Sequence, residues 1–321
     1  MNKRIKFVLG IFVILSVLII TGCNDMAEPA SPDQGSGDQA VEQVGDEIKV
    51  IDQLGREVSF STTPNRIISL SPSNTEVAFA LGLGDRLVGV TEYCNYPPEA
   101  QDREIVGGFS TPNIERIVEL APDLVIASTI HEEDLPRMEE LGLSVLVIES
   151  ATLDDLFTSI EIVAEVTGVP ENGASLIASI QERVDAVKAV VEGISDEERV
   201  KVYYEVYSDP LMSAGRNAFV NEIISMAGGI NIFGEIEENY PQISAEVVAE
   251  RQPDIILYPD FHGTADLMIE AMMARPGWEN IPAIVNSDVY GITDDSFARP
   301  GPRVVEAVEE AAEIFYPHLY Q

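Results

Sequence analysis

Chemistry in this chain would have to come from carboxylates, because it carries little else. Of 321 residues, 55 are Asp or Glu and 19 are Lys or Arg, giving a net charge of −36, with three histidines and two cysteines. An acid–base reaction would use a carboxylate pair such as Asp260 with Asp294 or Asp295. No base or nucleophile motif accompanies them. G-x-x-x-x-G-K-[ST], G-x-S-x-G and a complete G-x-G-x-x-G are all missing, and Gly82-Leu83-Gly84 reads as a helix stop before a turn. His131, His262 and His318 stand at no ligand spacing, so no protein-built zinc site is expected. His262 is a candidate axial ligand only for a metal brought in by a bound molecule. A secreted α/β enzyme working through the carboxylate pair is thus one reading, with nothing around the acids to support it.

The expected loops carry aromatic side chains instead. Tyr93 sits in TEYCNYPP after one strand and Tyr207 in EVYSDP after another; Phe109 and Tyr240 each precede a helix, and Phe261 adjoins His262. Loops at strand ends in open α/β sheets are where ligands bind, and aromatic lining suits a large, flat, partly apolar ligand. Arg299 and Arg303, in SFARPGPR, either meet an anionic ligand or pair locally. Trp278 is expected to pack rather than react.

These loops need elements to hold them. Short apolar runs (IISL, LVGV, DLVIA, SVLVI) alternate with helical patterns, which predicts an α/β region with a mainly parallel sheet. Ser73-Asn74-Thr75-Glu76 reads as a capping box opening a short helix. His131–Leu141 is expected to be helical. Pro170–Gly193 then places Ile177, Ile180, Val184, Val187 and Val191 on one helical face, over roughly 33 Å. Beyond it the pattern restarts. Asn113-IERIVELAPDLVIAS lies on Ser244-AEVVAERQPDIILYP, matching Glu115 to Glu246, Glu119 to Glu250, Pro122 to Pro253 and Asp123 to Asp254 at one constant offset. TEVAFALG likewise lies on NEIISMAGG, matching Glu76 to Glu222. The expected fold class is α/β, with two similar lobes of mainly parallel sheets joined by one long α-helix. The expected divisions are 48–169, the helix 170–193, and 194–321.

Residues 1–22 read as a secretory signal peptide: Lys3, Arg4 and Lys6 precede an apolar run from Phe7 to Ile20. Ile20-Thr21-Gly22-Cys23 resembles a bacterial-type lipobox, with Cys23 as the lipidated residue. Residues 23–47 are acidic and Gly/Ser/Pro-rich, a composition for a disordered tether. An anchored location at the outer face of the cytoplasmic membrane follows. With Cys23 lipidated, Cys94 is left alone and no intrachain disulfide is expected. The acidic balance argues against nucleic acid or anionic lipid as a partner and favours a cationic docking partner, or a salty external medium that screens the self-repulsion.

Several segments together resemble one family: SLSPSNTEVAFALG, GVTEYCNYPPEA, GGFSTPNIERIVELAPDLVIA, YYEVYSDPLMSAGRNAFVNEIISMAGGINIF and PQISAEVVAERQPDIILY. From about Ile48 onward the chain is similar to the solute-binding lipoproteins of ABC importers for iron complexes and cobalamin, whose fold is that of class III periplasmic binding proteins. The resemblance implies no catalysis and no intrinsic cofactor. It implies a monomer that captures a metal complex between its lobes and passes it to a permease with its ATPase. Glu76 and Glu222 fall where the family's glutamates meet permease arginines; Glu76 also has its capping reading. Tyr93, Phe109 and Tyr240 match positions lining a corrin site, although tryptophans are familiar where Phe109 and Tyr240 stand. Tyr207, Phe261 and Arg299 complete the expected ligand site. A cobalamin-like corrinoid is the expected ligand, with haem or a ferric siderophore as the alternative.

Overall fold

A computed structural model describes residues 47–260 and 263–320. The signal peptide, Cys23 and the tether through residue 46, together with Phe261 and His262, lie outside the described residues, as does the side chain of Asp294. Among the described residues no helix is long and apolar enough to cross a membrane.

The chain enters through an antiparallel hairpin, β1 (Ile48–Ile51) with β2 (Glu57–Phe60), turning at Gly55 with φ 75°. Then follow β3 (Ile67–Ser69), α1 (Pro72–Ala80), β4 (Leu87–Val90), β5 (Glu104–Ile105), α2 (Ile114–Glu119), β6 (Leu124–Ala127), α3 (Leu135–Glu140), β7 (Val145–Val147) and α4 (Leu153–Val166). Their strands form a parallel sheet in the order β5-β4-β3-β6-β7. Both faces are covered, as continuous apolar runs in parallel strands require. Leu124, Ile126 and Leu146 join one core, while Val125, Ala127 and Val147 join another on the opposite face.

After α5 (Pro170–Val191) come β8 (Lys201–Ser208), β9 (Leu211–Ser213), α6 (Phe219–Met226), β10 (Ile230–Asn231), α7 (Ala245–Arg251), β11 (Ile255–Pro259), α8 (Ala265–Met273), α9 (Pro282–Asn286), β12 (Val289–Ile292), α10 (Asp294–Ala298) and α11 (Val304–Phe315). The second sheet runs β10-β8-β11-β12, all parallel, with β9 antiparallel to β8. Its far core centres on Trp278, which is fully buried, donates its indole N–H to the Ala245 carbonyl at 3.0 Å and meets the Tyr203 ring edge-on.

The long helix has the face expected of it: Ile180, Val184, Val187 and Val191 are buried and Ile177 partly so, each burial contributing about 1.5–3 kcal/mol before entropy is counted. They join a core that also takes in α4, α6, α11 and one face of each sheet. The two halves are therefore cemented, not merely tethered.

The internal repeat appears as repeated bonding. Asp123 accepts the Arg66 N–H at 3.0 Å and returns its own N–H to the Arg66 carbonyl at 2.8 Å. Asp254 does the same with Lys201, both at 2.8 Å. Ala121 and Gln252, two residues earlier in each copy, share a positive φ of 44° and 50°.

Three local readings change. The cap of α1 is Ser71, whose Oγ accepts the Asn74 N–H at 3.2 Å, so the cap lies two residues before Ser73 and Glu76 is no capping-box residue. Pro72 at the first helical position explains the shift, since it lacks an N–H that would need an acceptor. His131–Leu141 splits into a 3₁₀ turn, Thr129–His131, and α3, with Pro136 in the first turn of the latter. The short strands β5, β9 and β10 were too brief to show a period.

Candidate functional site

Loops at the carboxyl ends of the first sheet converge on one cleft of ≈ 850 Å³. Ser71–Ser73 follow β3, Tyr93 follows β4, Phe109 follows β5, Ser128–Ile130 follow β6, and Glu149–Ala151 follow β7. The second half closes the other side with Asn217–Phe219, Asn239–Tyr240 and Ala298–Pro300. A further hollow of ≈ 1010 Å³ shares Tyr93 and Arg299 with the cleft and is walled by Glu92, Asp260, Asp266, Asp295 and Glu310. Small-ligand pockets run to roughly 300–1,000 Å³, so this space suits a ligand at the large end.

Tyr93, Phe109, Tyr240 and Arg299, expected from sequence, do come together here. Tyr93 and Tyr240 are 56% and 41% exposed, and Ile130, which sequence did not single out, is 51% exposed. Both tyrosines thus present much of their surface to the cleft. Phe109 is held from behind. His131, buried, bonds the Phe109 carbonyl through Nε2 at 2.7 Å, and the two rings meet edge-on at 5.9 Å. The Ser128 N–H donates to Nδ1 at 3.1 Å, which places the ring proton on Nε2, facing the carbonyl. His131 was read only as a histidine without metal-ligand spacing; nothing in its sequence neighbourhood marks it as a support.

Tyr207 is not part of the cleft lining among the described residues. The ladder between β8 and β9 shifts register between Glu205 and Tyr207, and the hairpin leaves the ring 57% exposed.

The arginines are engaged. Arg299 bonds Asn95 Oδ1 at 2.5 Å and Asp295 at 2.7 Å, with Glu76 at 3.7 Å. Arg303 grips Glu76 through Nε at 2.9 Å and Nη2 at 2.6 Å and lies 4.1 Å over the Tyr96 ring. Burial pushes the Glu76 carboxyl above its usual range, and Arg303 pulls it part of the way back. Glu76 is 3% exposed, so it faces the chain's own arginine, not solvent. Glu222 lies within α6 yet does cap a helix: it accepts the Leu153 N–H at 2.7 Å, at the start of α4. Partial burial raises its carboxyl too.

The carboxylates weighed for acid–base work have structural tasks. Asp260 accepts the Ala265 N–H at 2.9 Å at the head of α8, and Asp295 holds Arg299 and accepts from Asn95 Nδ2 at 3.1 Å. Among the described residues no cluster of His, Cys, Asp and Glu is arranged to hold a metal.

Comparison with known proteins gives a concordant picture. Residues 67–296 match the family model described as periplasmic binding protein. An ABC transporter substrate-binding lipoprotein of Bacillus subtilis is 30% identical over 315 residues, 96% of each chain. The crystal structure of the periplasmic vitamin B12-binding protein BtuF of Vibrio cholerae superposes with a TM-score of 0.69 at 32% identity, covering 80% of this chain and 99% of that one. The periplasmic heme-binding protein RhuT of Roseiflexus sp. RS-1 superposes with a TM-score of 0.71 at 28% identity, covering 79% and 99%.

Proposed function

This chain belongs to the periplasmic binding protein family, whose members serve ABC importers by binding solutes rather than by catalysis, and from that premise we propose that it captures a cobalamin-like corrinoid. The observation that carries the choice is the state of the cleft's cation. Among the described residues, Arg299 is the one basic side chain on the cleft walls, and it is already bound to Asp295 and Asn95. Acids flank it on the side of the larger hollow. An anionic chelate would meet these carboxylates without a free counter-charge, which is costly in a partly desolvated site. A corrin edged with neutral amides would donate to the same carboxylates while its face lies on Tyr93, Phe109 and Tyr240. Likeness to the vitamin B12-binding protein supports the same choice.

Haem is the second reading, favoured by the likeness to the heme-binding protein. Its propionates would have to take Arg299 from Asp295, and a ferric siderophore faces the same obstacle. Phe261 is a ligand-contact candidate in either reading, and His262 is a candidate axial ligand to a metal brought in by the bound molecule.

The loaded protein docks on a permease with its ATPase, acting as a monomer held at the outer face of the cytoplasmic membrane by lipid on Cys23. Glu222 and Glu76 are the proposed docking groups. A permease arginine reaches Glu76 only by displacing Arg303. Titration with cyanocobalamin, haemin and a ferric siderophore, followed by ligand absorbance, tests the choice. Saturable corrinoid binding at micromolar concentration or below is expected; none, with tight haemin binding, hands the site to haem.

A further inference from the structure

Glu76 and Glu222 occupy matching places in the repeat, and each bonds across to the other half, the first to a guanidinium and the second to a backbone N–H. Glu76, on α1 of the first half, is gripped by Arg303, the residue capping α11, the closing helix of the second half. Glu222, on α6 of the second half, accepts the N–H of Leu153, the first residue of α4, which closes the first sheet. Each half thus reaches to the amino end of the other's last helix. At α4 the glutamate meets one of the first N–H groups of the helix, which have no intrahelical acceptor; at α11 it meets the side chain of the cap residue instead.

The placement relative to the cleft gives these bonds a role. Cleft-lining Ser71–Ser73 lie just before Glu76, and Ala298–Pro300 just before Arg303. Glu149–Ala151 lie just before Leu153, and Asn217–Phe219 just before Glu222. The cleft floor therefore has two seams between the halves, each fastened one helical turn or less behind the lining. The first fastening is dense: Gly301 packs so closely that a Cβ there would lie 3.3 Å from Glu76 Oε2. Asp295, Arg299 and Asn95 extend it to the cleft wall.

We propose that the two glutamate bonds act together as clamps that set the width of the cleft, making Glu76, Arg303 and Glu222 positioning residues for ligand capture. Loosening one seam then loosens the other, because the lining segments on each side are carried by the same two halves. The clamps rest on the geometry of the free protein. Their effect on capture rests in addition on the corrinoid reading above.

Leu153 supplies a reporter that needs no ligand, since its amide is bonded across the second seam. In Arg303→Met, amide exchange at Leu153 should accelerate at least tenfold, while Val125, whose amide is bonded to the Ser144 carbonyl within the first half, stays protected. Arg303→Lys, which keeps the cation but loses the two-pronged grip, should give a smaller rise at Leu153 and serves if the methionine variant does not fold. Cyanocobalamin release from the same variants should quicken in the same order. An unchanged Leu153 amide, or equal acceleration at Leu153 and Val125, overturns the clamp. Faster exchange at Leu153 with no cyanocobalamin binding even in the unaltered protein would leave the clamp standing and remove the corrinoid reading.

Discussion

The Nε2–H of His131 donates to the Phe109 carbonyl at 2.7 Å, from a ring that is itself 1% exposed. One buried side chain thus ties two consecutive cleft walls together, the loop after β5 and the turn after β6, since its Nδ1 accepts the Ser128 N–H. Replacing it with Phe would keep the bulk and leave a partly buried carbonyl and a buried N–H without their partner, each costing up to about 1–3 kcal/mol. The expected outcome for His131→Phe is a loss of roughly 2–4 kcal/mol in urea unfolding. Cyanocobalamin affinity should fall several-fold with it, because Phe109 is no longer held. An affinity that does not move would show that the Phe109 ring is positioned by its other neighbours.

The Glu76–Arg303 pair calls for a different expectation from single and double changes. Glu76→Met leaves Arg303, with 12% of its side chain exposed, facing a methyl group, and breaking such a pair costs about 3–5 kcal/mol. Glu76→Met combined with Arg303→Met removes both charges and fills the space with apolar atoms, which is often neutral to stability. The double variant is therefore expected to unfold at a urea midpoint nearer to the unaltered protein than Glu76→Met does. A cost equal to the sum of the single changes would mean that each residue acts through other partners, such as Arg299 for Glu76 or Tyr96 for Arg303.

Much of this architecture was legible because it is written in periods. The face of α5, the buried runs of β3, β6 and β7, and the paired Asp123 and Asp254 all lie in stretches where local pattern and burial agree. The cleft aromatics were legible for a related reason: a strand end followed by Tyr93 or a helix preceded by Tyr240 fixes a loop's place in an open sheet. What sequence missed depends on contacts between distant segments. Glu76 and Arg303 are 227 residues apart, and nothing near either one announces the other. Glu222 looked like a free mid-helix acid because its partner is the backbone of a helix in the other half. Tyr207 stands outside the residues that line the cleft, on a hairpin whose register shift leaves no trace in residue types.

Tyr93 and Tyr240 should therefore separate cleanly from Tyr207 in binding. A stacked aromatic face is worth about 0.5–1.5 kcal/mol beyond its buried area, and 1.4 kcal/mol is tenfold in affinity. Tyr93→Ala and Tyr240→Ala are each expected to weaken cyanocobalamin about tenfold or more in calorimetric titration. Tyr207→Ala should change it less than about twofold, near the noise of surface substitutions. Equal losses at all three positions would extend the ligand site beyond the cleft to the β8–β9 hairpin.

Glu222 gives a prediction in pH. Partial burial raises its carboxyl in the folded protein, with Asp154 and Asp155 adding to the rise and the Leu153 N–H opposing it. The unfolded chain has its carboxyl near the ordinary value of about 4.3. Between that value and the raised native one, the folded state holds more of the proton than the unfolded state, so this group's contribution to stability falls as pH rises. It is fully present below the unfolded value and lost as pH climbs through the native one. Glu222→Gln keeps an oxygen to accept the Leu153 N–H and never ionises. Thermal unfolding of the two proteins should then coincide near pH 4, with the Gln variant becoming the more stable toward neutrality. If the Gln variant is instead the less stable at pH 7, the ionised carboxylate is favoured by the amino end of α4 more strongly than burial penalises it.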